Sequence, residues 1–244
     1  MTSKSKSDAG ENEGIRKVPH FLQKIIDDNV IKNDVFQQKN ERIMARKRRI
    51  WFPGAIYHLM HRGVRRTAIF EEEMDYQVML ELLKVSLEKY NCKLHAYCLM
   101  TNHIHLLLET NDMEIGKMMK YLSGCYASYV NQKYHYHGHV FEGRYKSCLV
   151  KEDSYFLQTS RYIHLNPVKA GMVKYPEEYR WSSYRTMIGL SDDKITMVSK
   201  TLAYFKNNSV MRYREFVADT GHKYIMREQK DGRMIEDDAM WLSW

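Results

Sequence analysis

The stretch Asn102–Glu109, NHIHLLLE, sets two histidines one residue apart inside a short apolar run. Side chains alternate between the two faces of a β-strand. His103 and His105 therefore share one face, whereas the isoleucine between them and the alternate leucines point to a core on the other face. Two imidazoles side by side can hold a divalent cation. We therefore expect a strand with one apolar face and one metal-binding face.

Short elements precede this stretch. The run LHAYCLM at 94–100 predicts a strand joined to it at Thr101–Asn102 by a tight hairpin turn. Further toward the amino terminus, AIYHLMHR at 55–62 follows the turn signal Pro53–Gly54 and predicts the first strand. Residues 74–90 place apolar side chains near helical spacing. The order up to this point is strand, helix, strand, strand.

The elements that follow complete a known arrangement. An apolar stripe at i, i+3, i+4, i+7 spacing predicts a second helix, carried by Ile115, Met118, Met119, Leu122, Tyr126, Tyr129 and Val130. VFEGRYKSCLVKE at 140–152 predicts a fourth strand. The order β-α-β-β-α-β indicates an α+β fold with a ferredoxin-like antiparallel sheet. The region from about Gly189 onward looks helical.

One more helix follows the predicted sheet. Asp153 or Ser154 can cap it, and it runs through YFLQTSRYIHLN. We expect it to stop at Asn166–Pro167, because a residue before proline is pushed out of helical geometry. Gln158, Tyr162 and Asn166 in this helix are spaced i, i+4, i+8 and form a polar line on one face.

This polar line supplies the candidate chemistry. A tyrosine opposite the histidine pair could attack a phosphodiester whose oxygens a metal polarises, and Tyr162 is the candidate. The amide oxygen of Asn166 could complete the metal ligands, and such a mixture of imidazole and oxygen ligands suits Mg²⁺ or Mn²⁺. Tyr155, seven residues earlier, is the alternative nucleophile. With 18 tyrosines in the chain, a packing role for Tyr162 is also open.

The other histidines and the cysteines offer weaker metal sites. The loop HYHGH contains His135, His137 and His139, which could bind a metal, although loop histidines beside a glycine are more often solvated. The four cysteines lack CxxC spacing, and neither they nor His58 and His95 present the spacing of structural zinc. No zinc site and no small-molecule cofactor are predicted.

Composition limits the class of protein. The 244 residues suffice for one main domain, and no apolar stretch approaches the roughly 20 residues that a membrane span needs. The amino terminus resembles neither a secretory signal nor a transit peptide. We expect a cytoplasmic protein without a membrane partner. Residues 1–45 predict a polar tail, part of it helical near Phe21 to Ile31.

The formal charge of +8 suits a partner that carries phosphates, although a solvated charge run is the simpler alternative. Aromatic residues such as Trp51 and Tyr145 interleave with the basic ones, which favours single-stranded nucleic acid. The candidate DNA-binding residues are Arg48, Arg49, Arg62, Arg65, Arg66, Arg144 and Lys146.

Five ordered motifs carry a resemblance to a known family: FPGAIYHLMHRG, HAYCLMTNHIHLLLE, HVFEGRYKS, RYIHLNPVKAG and RWSSYR. Together they resemble the single-tyrosine HUH transposases, specifically the REP-associated tyrosine transposase group, over roughly residues 46–190. The resemblance implies metal ligation by His103 and His105, a metal-assisting amide at Asn166 and a nucleophile at Tyr162. It also implies cleavage of single-stranded DNA at hairpin-forming palindromes, through a 5′-phosphotyrosine intermediate.

The predicted organisation is a tail over 1–45, a catalytic domain over 46–190 and a helical extension over 191–244. We expect a monomer or homodimer that acts on DNA hairpins and is associated with the nucleoid. Two rival functions stay open. One is a hairpin-binding protein that does not cut, such as a domesticated regulator, and the other is an RNA-binding protein that uses the same basic and aromatic surface.

Overall fold

The structure, a computed structural model, describes residues 22–27 and 50–219. Residues 22–27 are helical. The strands and helices that follow are β1 (Ile56–Arg62), α1 (Glu73–Lys89), β2 (Lys93–Met100), β3 (His103–Glu109), α2 (Ile115–Tyr134), β4 (Lys146–Val150), α3 (Asp153–Lys169), α4 (Tyr184–Met187), α5 (Val198–Ala203) and α6 (Ser209–Ala218). Two 3₁₀ turns lie at Val64–Arg66 and Pro176–Glu178.

The four strands form one antiparallel sheet in the order β2-β3-β1-β4. With helices after β1 and β3, this is the ferredoxin-like arrangement, so the predicted fold class is confirmed. The hairpin between β2 and β3 turns at Thr101–Asn102, where the sequence predicted it. β1 lies in the middle of the sheet, between β3 and β4.

One side of the sheet, which we call the core face, is apolar. Leu59, Leu106 and Tyr97 lie side by side across β1, β3 and β2, and all three are buried. Helices α1 and α2 cover this face and contribute side chains to the same cluster, including the whole apolar stripe predicted for α2. This face supplies most of the buried apolar area, and such burial is the main favourable contribution to folding.

The opposite side of the sheet, the site face, is mixed in character. β1 contributes His58, Met60 and Arg62 to it, and β3 contributes His103 and His105. Helix α3 packs over this face through Phe156, Tyr162 and Ile163 against Ala96, Cys98, Met100 and Leu107. Because the apolar residues of α3 pack on the apolar part of the site face, Tyr162 of the same helix lies beside the histidines.

The predicted end of α3 at Asn166–Pro167 is wrong. The helix continues through Pro167 to Lys169, because a proline removes only one backbone donor. Other backbone hydrogen bonds satisfy the carbonyls of the last helical turn. The amides of Gly171 and Met172 donate to the carbonyls of Val168 and Pro167, and Gly171 takes the left-handed conformation that this terminating motif requires. The residue before the helix is Glu152, which caps it without a side-chain bond.

Other boundaries differ more mildly from the prediction. β4 covers only Lys146–Val150, because the chain before it pairs with the sheet through a single bridge between Phe141 and Gly63. In α1 the buried stripe is formed mainly by Val78, Met79, Leu82 and Leu83. In the helical residues 22–27, Leu22, Ile25 and Ile26 are buried in the cluster of the core face.

Several predicted features lie outside the described residues, namely the rest of the tail up to residue 49 and the extension beyond residue 219. Within the part of the chain that the structure describes, no helix combines the length and the apolar character needed to cross a membrane. The described part of the extension contains α5 and α6, as its helical pattern predicted.

Candidate active site on the site face

The two histidines of β3 lie side by side on the site face. The ring centroids of His103 and His105 are 4.9 Å apart, and their planes are nearly perpendicular, at 84°. His105 is buried, whereas His103 is half-buried at the end of the strand. The alternation of β3 thus brings both imidazoles together and leaves one edge of the pair accessible.

A third imidazole, which the sequence analysis did not assign to the site, stands behind the pair. His58 of β1 is fully buried, and its Nε2 lies 3.1 Å from Nδ1 of His105. The two rings stack with centroids 5.3 Å apart. The pattern His58-x-Met60-x-Arg62 places His58 on one face of a strand, but only the pairing of β1 with β3 brings it to His105.

His103 has its own hydrogen-bond partner. Its Nδ1 lies 2.6 Å from Oδ1 of Asn102, the second residue of the hairpin turn. The amide nitrogen of Asn102 donates in turn to the backbone carbonyl of Arg66, at 3.1 Å. Both histidines of the pair are therefore engaged through Nδ1.

Burial keeps these imidazoles neutral. Desolvation lowers the pKa of His58 to about 4. It also lowers the pKa of His103 to about 4, with a smaller contribution from the nearby charge of Arg62. The pKa of His105 lies well below its ordinary value because of burial first and of the two neighbouring histidines second. The neutral imidazole is the form that binds metals.

Tyr162 of α3 lies against this histidine cluster. The centroid of its ring is 5.7 Å from that of His105 and 5.8 Å from that of His58, with edge-to-face geometry in both cases. Nζ of Lys169 lies over the same ring, 4.7 Å from the centroid, and the sequence analysis did not single out this lysine. The phenol of Tyr162 is therefore on the same side of the sheet as the histidine pair.

Asn166 lies one turn after Tyr162 and is buried. Its Nδ2 donates to the backbone carbonyl of Tyr162 at 2.9 Å, which orients the amide and leaves Oδ1 as the atom that could ligate a cation. No cluster of three or more His, Cys, Asp or Glu side chains suited to a metal occurs among residues 22–27 and 50–219. The candidate donors therefore remain those predicted from the sequence, two imidazoles and one amide oxygen.

Helix α3 is held in place by His164, a buried histidine that was not predicted as a site residue. In His164, Nδ1 lies 2.7 Å from the hydroxyl of Tyr213 and Nε2 lies 2.8 Å from Oγ of Ser183. Ser160 bonds to the same tyrosine hydroxyl at 2.7 Å. Burial lowers the pKa of His164 to about 3. The motifs RYIHLN and RWSSYR therefore meet here, and α6 is joined to them.

The predicted DNA-binding residues fall into three groups. Arg65, Arg66 and Arg144 are exposed, and Lys146 is half-buried. Arg62 is buried and bonds through Nε to Glu142 at 3.1 Å. Arg48 and Arg49 lie outside the described residues.

The exposed basic residues share one end of the sheet. β1 ends at Arg62, directly opposite His103, and the turn with Arg65 and Arg66 follows at once. β4 begins at Lys146, opposite Met60, with Arg144 just before it. Positive charge therefore surrounds the end of the sheet at which the histidine pair becomes accessible.

The alternative nucleophile, Tyr155, also packs on the site face, over β4, where Cys148 pairs with His58. The hydroxyl of Tyr155 lies 3.5 Å from Sγ of Cys148 on β4. His135, His137 and His139 are exposed in the loop after α2 and form no metal-binding group with other described residues. All four cysteines are free thiols.

Comparison with known families agrees with the resemblance that the five motifs carry: residues 52–166 match the family model described as "Transposase IS200 like". The resemblance stated from the five motifs is thereby confirmed. Among curated proteins, a Haemophilus influenzae protein assigned to the REP-associated tyrosine transposases is 27% identical over 113 residues. That match covers 41% of this chain and 64% of the relative, less than two thirds of the relative's length.

A solved structure gives the same result for the fold. A REP-associated tyrosine transposase bound to a REP hairpin superposes with a TM-score of 0.52 at 16% identity. The superposition covers 64% of this chain and 94% of that chain. The chain therefore has the fold of that transposase, over nearly the whole of the solved relative.

Proposed function

We propose that this protein is a metal-dependent single-stranded DNA endonuclease and strand transferase that acts at hairpin-forming palindromes. The observation that carries the proposal is the contact between Tyr162 and His105, with ring centroids 5.7 Å apart on the site face. A helix-borne phenol beside a neutral imidazole pair is the arrangement that attack on a metal-bound phosphodiester requires.

The proposed reaction exchanges one ester for another. The phenol oxygen of Tyr162 forms a bond to phosphorus, and the bond from phosphorus to the 3′-oxygen breaks. The phenol proton passes to water, and the leaving 3′-oxygen takes a proton from water. The products are a 5′-phosphotyrosine and a free 3′-hydroxyl, which can later attack the same ester and rejoin the strand.

His103, His105 and the amide oxygen of Asn166 would hold Mg²⁺ or Mn²⁺ in this proposal. When bound, the cation would polarise the phosphate and stabilise the charge that develops on its oxygens. The residues of the chain supply the rest: α3 orients the phenol, and burial of the pair keeps both imidazoles in the neutral form.

Positive charges support a phosphate-bearing substrate. Lys169 lies over the Tyr162 ring, where it can contact the phosphate that this tyrosine attacks. Arg65, Arg66 and Arg144 surround the accessible end of the histidine pair. The hairpin as the preferred form of DNA is proposed from the hairpin-bound relative of the same fold.

We also propose the domain organisation predicted from the sequence, with a catalytic domain over 46–190. The extension after residue 190 would serve that domain, because Tyr213 of α6 bonds to His164 and Ser160 of the tyrosine helix. The net charge of +8 supports association with the nucleoid, as a monomer or a homodimer.

A conjugation assay tests the proposal. Purified protein is incubated with single-stranded hairpin DNA and Mn²⁺, with the label at the 5′ end in one sample and at the 3′ end in another. We expect a denaturation-resistant conjugate that carries only the 3′ label, and a released 5′ fragment that ends in a hydroxyl.

Two controls separate the rival functions. A matched RNA hairpin at the same salt concentration tests for the RNA-binding alternative. EDTA tests for the metal. Tight binding of the DNA hairpin without any conjugate in Mn²⁺ would contradict the proposal and favour the hairpin-binding protein that does not cut.

A further inference from the structure

We propose that Asn102 and His58 are positioning residues that hold His103 and His105 with the ring hydrogen on Nδ1, so that each histidine presents Nε2 to a divalent cation. This inference rests on the proposed function, because it concerns the same metal site. It assigns a role to two residues that lie outside the set of proposed ligands. Both Nδ1 atoms of the pair lie within hydrogen-bond distance of these two residues.

The orientation of Asn102 decides the state of His103. Nδ2 of Asn102 donates to the carbonyl of Arg66, so Oδ1 is the atom that faces His103. An amide oxygen can only accept a hydrogen bond. Nδ1 of His103 must therefore carry the hydrogen, and in a neutral ring the lone pair is then on Nε2.

The turn after β1 stabilises the position of Asn102. The amide of Gly63 donates to the backbone carbonyl of Asn102 at 2.8 Å, and Arg66 offers its carbonyl from a left-handed conformation. A Cβ atom at position 63 would lie 2.3 Å from the carbonyl oxygen of Thr67 and 2.7 Å from a methyl of Ile69. Only glycine at position 63 therefore allows the turn to fold back this tightly beside the hairpin.

His58 plays the corresponding role for His105. Its Nε2 lies 3.1 Å from Nδ1 of His105, and one of these two atoms must carry the hydrogen. We take His58 as the acceptor, because only then does His105 carry its hydrogen on Nδ1 and keep on Nε2 the lone pair that a metal needs. Because His58 is fixed in the central strand and stacks on His105, the ring orientation of His105 is held at the same time.

His58 also contacts the proposed nucleophile, since its ring lies edge-on to Tyr162 at 5.8 Å. A single residue thus touches both a proposed metal ligand and the attacking group. Hydrogen-bond partners of ligand histidines fix the tautomer and the ring orientation, and their loss weakens metal binding by about 10- to 100-fold.

Mn²⁺ binding to the full-length protein, followed by electron paramagnetic resonance, tests the role of His58. We expect His58→Phe, which keeps a ring of similar size but has no acceptor, to weaken Mn²⁺ binding by about 10- to 100-fold. His58→Gln offers an acceptor oxygen and is expected to recover most of the affinity. The matched control is His61→Phe, a buried histidine of the same strand on the core face, which should leave Mn²⁺ affinity unchanged.

A folded His58→Phe variant that binds Mn²⁺ with wild-type affinity would overturn the inference. A His58→Gln variant that binds Mn²⁺ as weakly as His58→Phe would also overturn it. Thermal unfolding of each variant identifies those that fail to fold. Asn102→Leu should weaken Mn²⁺ binding in the same range as His58→Phe, because it removes the acceptor of His103.

Nitrogen-15 NMR of the histidine rings in the metal-free protein gives a second readout. We expect the hydrogen on Nδ1 in both His103 and His105, and its loss from Nδ1 of His103 in Asn102→Leu. A hydrogen on Nε2 of His105 in the wild type would overturn the inference. Failure of the wild type to bind Mn²⁺ would instead overturn the proposed metal role, while the tautomers would still show whether the histidines are positioned as inferred.

Discussion

The two faces of the sheet are built from the same strands but differ in what they bury. The core face buries Leu59, Leu106 and Tyr97 under two helices, whereas the site face buries His58 and His105 under one. Alternation of side chains lets each strand contribute to both faces. Because the core face supplies most of the apolar burial, the site face can carry polar groups whose desolvation is unfavourable.

His61 and His58 show the same contrast between the two faces at positions three residues apart on β1. Both are buried, and burial lowers the pKa of each to about 4. His61 stacks on Phe141 and bonds to Ser123, whereas His58 contacts a histidine and a tyrosine. A depressed pKa therefore marks burial on either face, and the neighbouring residues distinguish the candidate site from the core.

The largest expected effect concerns the nucleophile on the site face. Tyr162→Phe removes the only atom that can bond to phosphorus in the proposed reaction, so the covalent DNA conjugate should disappear while hairpin binding is retained. Denaturing gels measure the conjugate, and a mobility-shift assay measures binding. Tyr155→Phe, in the same helix, is the matched control and should form the conjugate normally. Conjugate in Tyr162→Phe would reject this assignment.

Loss of a proposed ligand should have the next largest effect. His103→Ala or His105→Ala is expected to lower Mn²⁺-dependent cleavage to the level seen in EDTA, because one imidazole and the amide oxygen of Asn166 are too few ligands to hold the cation. Initial rates of hairpin cleavage measure this. The control is His137→Ala in the exposed loop after α2, which should cleave at the wild-type rate. A loss of cleavage in His137→Ala would instead favour the loop as the metal site.

A substitution in the core face should affect stability alone. Leu83 of α1 is fully buried in the cluster of the core face, so Leu83→Ala should lower the free energy of unfolding by about 2 to 5 kcal/mol. Urea unfolding measures the change, and Met211→Ala on the exposed surface is the control. The folded fraction should bind Mn²⁺ with unchanged affinity, and weaker binding would show that the two faces are coupled.

The smallest expected effect is a pH dependence of the unfolding free energy, to which buried histidines on both faces contribute. The pKa of His61 is lowered from 6.5 to about 4 by burial, against a hydrogen bond to the carbonyl of Gly143 that raises it. Between these values the unfolded chain binds the proton and the folded chain does not, so stability is full above about pH 6.5 and is lost toward pH 4. His61→Phe should reduce the slope of unfolding free energy against pH by about one proton in this window. An unchanged slope would contradict the shift.

Much of the fold was predictable because its signals are local. The alternation in NHIHLLLE, the hairpin turn at Thr101–Asn102 and the stripe along α2 all appear in the structure as the pattern indicates. The end of α3 was not predictable in this way. The rule about the residue before proline was outweighed by the hydrogen bonds that close the helix at Gly171.

The site was only partly predictable for a similar reason. The residue types and spacing of Tyr162, His103 and His105 indicate chemistry, whereas His58 and His164, although they also lie in the quoted motifs, look like ordinary histidines in apolar runs. His58 meets a residue 47 positions away, and His164 meets one 49 positions away. No local sequence pattern predicts contacts between residues this far apart in the chain.

Local sequence was therefore sufficient for the elements and for the class of fold, since residue periodicity acts through the geometry of a single strand or helix. Packing of the whole chain was needed to bring Tyr162 over the histidine pair, to set His58 behind His105 and to bond α6 to the tyrosine helix. These contacts depend on the strand order and on the path of α3 across the sheet. Both follow from the burial of the two faces together, which no single segment encodes.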